Sequence, residues 1–403
     1  MKLFARPKSS ARHTPTMIEL YGISWDHTRG YDPLVATARA YMREHADVRI
    51  EWDKRSLHDF GHAPVDRLAQ QYDLVVLDHP WIGFMADTQC YVALNDLLSA
   101  EVLEDLAAHS AGPAHASYEW EGRQWALAID AATPSASYRP DLLRQLQSPV
   151  PKTWDEVLEL GFRCEAAGMN IALPLGPVDA ITAFLSLADN LGGNPFATTD
   201  YVTNEEVGRR VLSALQAIVK LCPAEVYQLS PITLMDLMSS TDSIAYCPLA
   251  YSYSNYARAG FRPHLCRYAN MPTLGSKGPQ GSHIGGTGLA VSSRCQHPQI
   301  AADYASRVAG GEWQKSIYFS AGGQPAHAAA WNDSAVNAAC SNFFADTRET
   351  IDRAFLRPRY NGYIDFQYRG GALIMNCLRD DGDHNNLLNE LNALYCESTR
   401  CLA

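Results

Sequence analysis

The chain has 403 residues, of which 47% are hydrophobic and 19% are charged, as is typical of globular proteins rather than disordered ones. Its length exceeds one ordinary hydrophobic core and predicts two domains. A formal net charge of −11 argues against nucleic acid or an anionic membrane as the main partner. No apolar run approaches the roughly 20 residues of a membrane-spanning helix.

The first 16 residues are basic and contain no apolar run of the kind found in secretory signals. They include Lys2, Arg6, Lys8 and Arg12, whereas a signal peptide needs about 7 to 15 apolar residues after its basic part. We therefore expect a flexible basic N-terminus over 1–16 and a folded chain from Met17. This pattern favours a cytosolic protein, unless an export signal has been lost.

Two segments near the N-terminus predict one edge of a parallel sheet. An apolar strand leads into the loop 24–31, and a second strand, Leu74–Leu77, runs into Asp-His-Pro-Trp at 78–81. Ligands bind outside the carboxyl ends of the strands in such sheets. We therefore expect a cleft at this edge. Its candidate lining residues are Trp25, Asp26, Arg29, Tyr31, Asp78, His79 and Trp81.

Aromatic rings and carboxylates in one cleft fit a sugar, which has apolar C–H faces and a rim of hydroxyls. Arg29 leaves two interpretations open. It can pair with Asp26, which we favour, or it can clamp an anionic ligand bidentately, which would indicate a sugar acid. We predict that Trp81→Ala and Asp78→Ala lower ligand affinity with little change in Tm.

Further elements follow in chain order. A hairpin turning at Glu121-Gly122 leads to Asp130, and capping boxes at 153–156 and 203–206 open two helices. An aromatic run at 251–256, a glycine-opened strand at 285–291 and an extended segment at 357–363 come later. These elements add the candidate ligand-binding residues Asp130, Tyr251, Tyr253, Gly285, Gly286, Arg357 and Tyr363.

Neither a metal site nor a cofactor is expected, and no residue is assigned a catalytic role. The Asp-His pairs at 26–27 and 78–79 are adjacent on strands, where neighbours point to opposite faces. His58 and His62 have helical spacing, but Gly61 interrupts the helix that this spacing requires. The ten cysteines include no CxxC motif, so we expect mostly free, buried thiols, with Cys396 and Cys401 able to pair in an oxidising compartment.

Five features together resemble bacterial extracellular solute-binding proteins of carbohydrate ABC transporters (family 1). They are the strand-loop-helix start after Met17, the strand Tyr-Asp-Leu-Val at 72–75, the hairpin at 121–127 before Asp130, Pro-Lys-Thr-Trp-Asp-Glu-Val at 151–157, and the glycine strand at 285–290. They occur in this order over most of the chain.

The resemblance implies an α/β, type II periplasmic-binding-protein-like fold: two α/β lobes with a hinge and an interlobe ligand cleft. Lobe 1 would comprise 17–128 and 283–325, and lobe 2 would comprise 129–282 and 326–403. It further implies a monomer, located in the periplasm, that captures a small polyhydroxylated ligand, a sugar or sugar acid, by hinge closure. An ABC permease would be its partner.

Two alternatives remain open. The first is a cytosolic ligand sensor or auxiliary protein of the same fold without a transport role. The second is a carbohydrate-active enzyme, for which Asp26 and Asp78 would have to lie about 5 Å, or about 6.5 to 9.5 Å, apart.

Overall fold

The computed structural model describes residues 17–56, 60 and 64–399. The predicted basic N-terminus, the pair His58 and His62, and Cys401 lie outside the described residues.

The strands are β1 (Ile18–Trp25), β2 (Val48–Arg55), β3 (Leu74–Leu77), β4 (Glu119–Trp120), β5 (Arg123–Gln124), β6 (Leu127–Ala132), β7 (Pro134–Tyr138), β8 (Asn170–Ile171), β9 (Ile244–Tyr251), β10 (Arg267–Ala269) and β11 (Gly285–Val291). The helices are α1 (Asp32–Glu44), α2 (Val65–Ala69), α3 (Ile82–Thr88), α4 (Ala100–Ala108), α5 (Pro140–Gln145), α6 (Trp154–Ala166), α7 (Pro177–Asn190), α8 (Glu205–Val219), α9 (Pro231–Ser240), α10 (Pro298–Ala309), α11 (Gly311–Trp313), α12 (Ala328–Trp331), α13 (Ser334–Ala339), α14 (Phe343–Asp346), α15 (Arg348–Asp352), α16 (Tyr363–Asp380) and α17 (His384–Thr399). Short 3₁₀ turns include His79–Trp81 and Ser254–Ala257, and a π-helical turn spans Gln314–Tyr318.

The first sheet has the strand order β2-β1-β3-β11-β6. The β1 strand pairs in parallel with β2 and β3, whereas β11 runs antiparallel to both β3 and β6. All four residues of β3 are buried, as expected for a strand covered on both faces. At the edge, β2 alternates buried and exposed side chains over most of its length, which matches the period of a half-covered strand. Helices α1 and α10 pack against this sheet, which forms the core of lobe 1.

The second sheet, in lobe 2, has the order β10-β7-β9-β8. Helix α7 packs against β9, and α16 packs along α7. The predicted capping box at the start of α6 is present, with Thr153 and Glu156 bonding each other's backbone N–H groups. The second predicted box is wrong: the side chain of Asn204, not Thr203, accepts from the N–H of Val207 and caps α8.

The chain passes from the first sheet to the second at Thr133, between β6 and β7. The predicted crossing near residue 128 falls within β6, and the chain re-enters the first sheet at Gly285. After residue 325 it keeps contact with lobe 1, because the N–H of Ala328 donates to the carbonyl of His109. The later helix α14 packs against β10 of lobe 2.

None of the helices in the described part of the chain combines the length and apolar character needed to cross a bilayer. The nine cysteines in that part are all free. Cys396 Sγ lies 3.3 Å from the carbonyl oxygen of Asp200, while its suggested partner Cys401 is not among the described residues.

Candidate functional site

A cavity of about 430 Å³ lies between the two lobes. Side chains and backbone from both sheets and from the connections between them line it. The lining residues are Trp25, Arg29, Phe60, Asp78, Trp81, Asp130, Ala132, Val178, Asp179, Ser230, Pro231, Tyr251, Tyr253, Gly285, Gly286, Thr287, Arg357, Ile364, Gln367 and Tyr368.

Lobe 1 supplies the ends of its strands, as the parallel-sheet argument predicts. Trp25 ends β1, and Asp78 follows directly after β3. The Asp78 side chain also caps the short turn His79–Trp81 by accepting from the N–H of His79 at 2.9 Å. This turn brings the half-buried ring of Trp81 to the cavity.

Arg29 forms a buried bidentate ion pair with Asp130. Its Nε lies 2.7 Å from one carboxylate oxygen and its Nη2 lies 2.5 Å from the other, and Arg29 is 3% exposed. Burial opposes the charge, but the adjacent carboxylate outweighs that cost and raises the pKa of Arg29 above its ordinary value. The favoured prediction that Arg29 pairs with Asp26 is therefore wrong.

Arg357 forms the second ion pair, with Asp78. Its Nη2 lies 2.8 and 3.0 Å from the two oxygens of Asp78, and its Nη1 donates to Gln367 Oε1 at 2.9 Å. Its Nε has no hydrogen-bond partner among the described residues. Burial disfavours the carboxylate, but Arg357 and the hydrogen bond from His79 lower the pKa of Asp78 below its usual value.

The backbone carbonyl of Ser252 joins the lobes beside the cavity. It accepts from Arg29 Nη1 at 2.8 Å and from Gln324 Nε2 at 3.2 Å. The same Gln324 amide donates to Ala131 and accepts from the N–H of Ser254. We call Ser252, Arg29 and Gln324 the Ser252 junction.

Four of the predicted ligand-binding residues do not line the cavity. Asp26 follows β1 on the outside of the molecule, where it bonds Lys54 at 2.7 Å. Tyr31 turns its hydroxyl to the carbonyl of Trp52 at 3.2 Å. His79 and Tyr363 are fully buried. His79 opens the turn that Asp78 caps, and its ring packs edge-on against Tyr118 with the ring centroids 6.1 Å apart. Tyr363 packs among the aromatic rings of lobe 2.

Both predicted glycines line the cavity and permit close approach of other groups. Gly286 has φ +110°, and a Cβ there would collide with the backbone of Asp130. Gly285 leaves room for the ring of Tyr251, which a Cβ would meet at 2.5 Å. Glycine therefore lets the Asp130 backbone of β6 approach position 286 and the Tyr251 ring approach position 285.

Sequence reasoning missed most of the lobe 2 lining. Asp179 lies in the first turn of α7, and Ser230 caps α9. Both positions carry a sequence signal for a helix start: Gly-Pro precedes Asp179, and Ser-Pro stands at 230–231. The other residues that were not predicted are Phe60, Ala132, Val178, Pro231, Thr287, Ile364, Gln367 and Tyr368.

Among the described lining residues, three carboxyl groups face two arginines. Each of the two arginines is paired with a carboxylate, as described above. Asp179 is half-buried and has no ion pair or hydrogen-bond partner among the described residues. Burial alone raises its pKa to about 7. The described lining therefore presents no unpaired cation to a ligand.

The fold is shared with solved solute-binding proteins of ABC transporters. The maltose-bound MalE3 of T. maritima matches with a TM-score of 0.80 at 16% identity, over 96% of this chain and 100% of that one. A ribitol-bound solute-binding protein from Agrobacterium radiobacter matches with a TM-score of 0.78 at 17% identity, over 95% and 100%. The cyclic α-maltosyl-1,6-maltose-binding protein of Arthrobacter globiformis gives 0.76 at 17%, over 95% and 99%.

No protein-family model and no curated protein sequence matches the chain. The structural matches cover nearly the whole molecule, so the predicted type II periplasmic-binding fold with two α/β lobes is confirmed. The cavity described above lies between those two lobes.

Proposed function

We propose that the protein captures a small polyhydroxylated solute between its lobes and delivers it to an ABC importer. The observation behind this proposal is the interlobe cavity, whose lining combines aromatic rings with hydrogen-bonding groups from both lobes. Trp81 and Tyr368 offer faces for the apolar side of a sugar ring, whereas Ser230 and Gln367 can bond hydroxyls. The solved proteins of this fold include ones bound to maltose and to ribitol.

A neutral ligand or one bearing a positive charge fits better than a sugar acid. An acid is bound through free arginines, but Arg29 and Arg357 already donate to Asp130 and Asp78. Binding a carboxylate to either arginine would require breaking a buried ion pair. The interpretation of Arg29 as an anion clamp thus loses its support.

The ABC permease, the periplasmic location and the monomeric state are part of the same proposal and rest on the shared fold. A cytosolic sensor of this fold would use the same cavity. A carbohydrate-active enzyme has less support, because Asp26 is exposed and bonded to Lys54 while Asp78 is bonded to Arg357. They are not a pair of carboxylates facing one bond.

A thermal-shift screen of the purified protein tests the proposal. The panel holds monosaccharides, oligosaccharides, polyols, sugar acids, amino acids and divalent metals. We expect a dose-dependent rise in Tm with sugars or polyols, because a ligand that binds only the folded state stabilises it. Small-angle scattering should then show a smaller radius of gyration with the active compound, as expected for closure. A shift confined to amino acids or metals would contradict the proposal.

A further inference from the structure

Asp179 differs from the other acidic groups of the cavity because it has no partner. It lies in the first turn of α7, in lobe 2, and its carboxylate faces the interlobe space. Asp78 and Asp130, the other described carboxylates of the lining, are each bonded to an arginine. Asp179 has no hydrogen bond or ion pair to any described residue.

Aromatic side chains line the same cavity as this carboxylate, among them Tyr251, Tyr253 and Tyr368. Burial, with a smaller contribution from the charge of Asp179, raises the pKa of each of these tyrosines to about 12. They therefore stay neutral near pH 7, and their ring faces can attract a cation.

We infer that the ligand carries a protonated amine that pairs with Asp179, as an amino sugar or amino polyol would. This inference rests on the proposed function and specifies the ligand class for the same cavity. A carboxylate taken further out of water on lobe closure is costly unless an opposite charge accompanies it. An ammonium group supplies that charge, whereas a hydroxyl supplies only a hydrogen bond. Among the described lining residues, no free cation competes for the position.

The inference has a pH signature. The amine pairs with the ionised carboxylate, so its affinity should fall as the pH drops below the value near 7 at which Asp179 takes up a proton. The other described ionisable groups that face the cavity are Arg29, Asp130, Asp78, Arg357 and the three tyrosines. The pKa of Asp78 is lowered and the tyrosines stay neutral between pH 5.5 and 7.5, whereas burial raises the pKa of Asp130. The Asp179→Asn variant separates the contribution of Asp179 from that of Asp130.

Calorimetry with matched compounds tests the inference. The probes are glucosamine with glucose and N-acetylglucosamine, and 1-amino-1-deoxysorbitol with sorbitol, each at pH 5.5 and 7.5. The proteins are the unaltered chain, Asp179→Asn and Asp155→Asn. Asp155 is a matched control because it lies in the first turn of another lobe 2 helix, is exposed, and is not part of the cavity.

We expect at least one amine to bind the unaltered chain about tenfold or more tightly than its neutral counterparts at pH 7.5, with a smaller preference at pH 5.5. Asp179→Asn should abolish the preference while Asp155→Asn keeps it. Circular dichroism and Tm check that both variants fold. Asn is nearly isosteric with Asp, and Asp179 makes no bond to a described residue that would be lost.

Three results would overturn the inference: neutral members that bind as tightly as the amines, a preference that survives Asp179→Asn, or no amine binding up to about 10 mM. If neutral sugars or polyols bind and close the lobes without any preference, the proposed function stands and only the amine inference fails. If no carbohydrate of either kind binds, both fail.

Discussion

At the residue scale, the two arginines of the cavity act on the protein itself. Arg29 bonds Asp130 and the carbonyl of Ser252, and its guanidinium lies 4.4 Å above the ring of Tyr253. Its Nε and Nη2 donate to Asp130, and its Nη1 donates to Ser252. The arginine therefore connects groups of both lobes within the protein.

Arg29→Ala should destabilise the protein strongly. Removing one member of a buried pair leaves Asp130 charged and without its partner, which costs about 3–5 kcal/mol. The free energy of unfolding from urea titration measures this effect. Arg49→Ala is the control, since Arg49 pairs with Glu51 on the surface, where the expected cost is below about 1 kcal/mol. If both variants lose the same free energy of unfolding, the buried Arg29–Asp130 pair contributes no more to stability than a surface pair.

The structure separates two substitutions that the sequence treats alike. Trp81→Ala should weaken ligand binding about tenfold with little change in Tm, because the ring is half-buried at the cavity and loses mainly its contact with the ligand. Asp78→Ala should instead lower Tm as well, because Arg357 is 2% exposed and would keep its charge without its partner.

Thermal denaturation and calorimetry with the compound identified in the screen distinguish these outcomes. Trp125→Phe is a control in lobe 1 away from the cavity: Trp125 is buried beside the hairpin β4–β5, so ligand affinity should be unchanged. Wild-type Tm in Asp78→Ala would mean that the Arg357 pair contributes little to stability.

The sequence predicted the strand ends correctly and some side-chain directions incorrectly. Trp25 and Asp78 were placed at the cavity edge from the strand pattern alone. The same pattern also placed Asp26 and His79 at that edge, but the structure does not, because the residue after a strand end can turn to either face and the local pattern does not decide which. Arg29 pairs with Asp130 and not with Asp26. Asp130 is 101 positions away in the sequence, so only folding brings the two residues together.

At the scale of elements, Gly286 of β11 allows the backbones of β11 and β6 to approach each other closely. The β11–β6 pairing changes register between Thr287 and Gly288, and Gly286 adopts φ +110° against the backbone of Asp130. The glycine-opened strand was recognisable in the sequence. The register change was not, since it depends on the strand that pairs with β11.

Gly286→Ala should cost more stability than its backbone angle alone explains. Gly122→Ala is a matched control, because Gly122 also has a positive φ (+74°) but lies in open space. The control should lose about 1–2 kcal/mol from the left-handed backbone. Gly286→Ala should lose more, since its Cβ would also displace the Asp130 backbone. Urea unfolding measures both, and equal losses would exclude a role for the contact.

At the scale of the whole molecule, the two-lobed fold was predictable because many motifs in order point to it. The lobe 2 wall of the cavity was not. Asp179, Ser230 and Tyr368 belong to three different helices. In the sequence, the first two match ordinary helix starts and Tyr368 matches an ordinary packing position. Their meeting at one cavity depends on how the helices pack, which no local pattern encodes.

The whole protein should lose stability as the pH falls from neutral to about 4. Burial, with a smaller effect of a nearby arginine, lowers the pKa of His27 and of His79 to about 4 and that of His283 further. An unfolded histidine takes up its proton near 6.5. The stability from these neutral rings is therefore complete above about 6.5 and lost as the pH falls toward 4.

Asp179 acts in the opposite direction, because its pKa is raised to about 7. The cost of its buried charge is present above that value and is relieved as the pH falls. Burial also raises the pKa of Asp130 and Asp189, which act in the same direction as Asp179. The three histidines should outweigh these carboxyls, so urea midpoints should fall between pH 7 and 4.5. The decline should be steeper in Asp179→Asn, which lacks one of the opposing groups. A constant or rising midpoint would contradict the histidine argument.

The Ser252 junction has a consequence for how long a ligand stays bound. Two donors of lobe 1 converge on one carbonyl oxygen of lobe 2, and rotation about a shared acceptor changes these bonds less than sliding does. We therefore expect the lobes to swing apart while this contact persists, and a departing solute to break only its contacts elsewhere in the cavity. Substitutions at Trp81 or Asp179 should accordingly shorten residence time by raising the dissociation rate, while the rate of capture stays nearly constant.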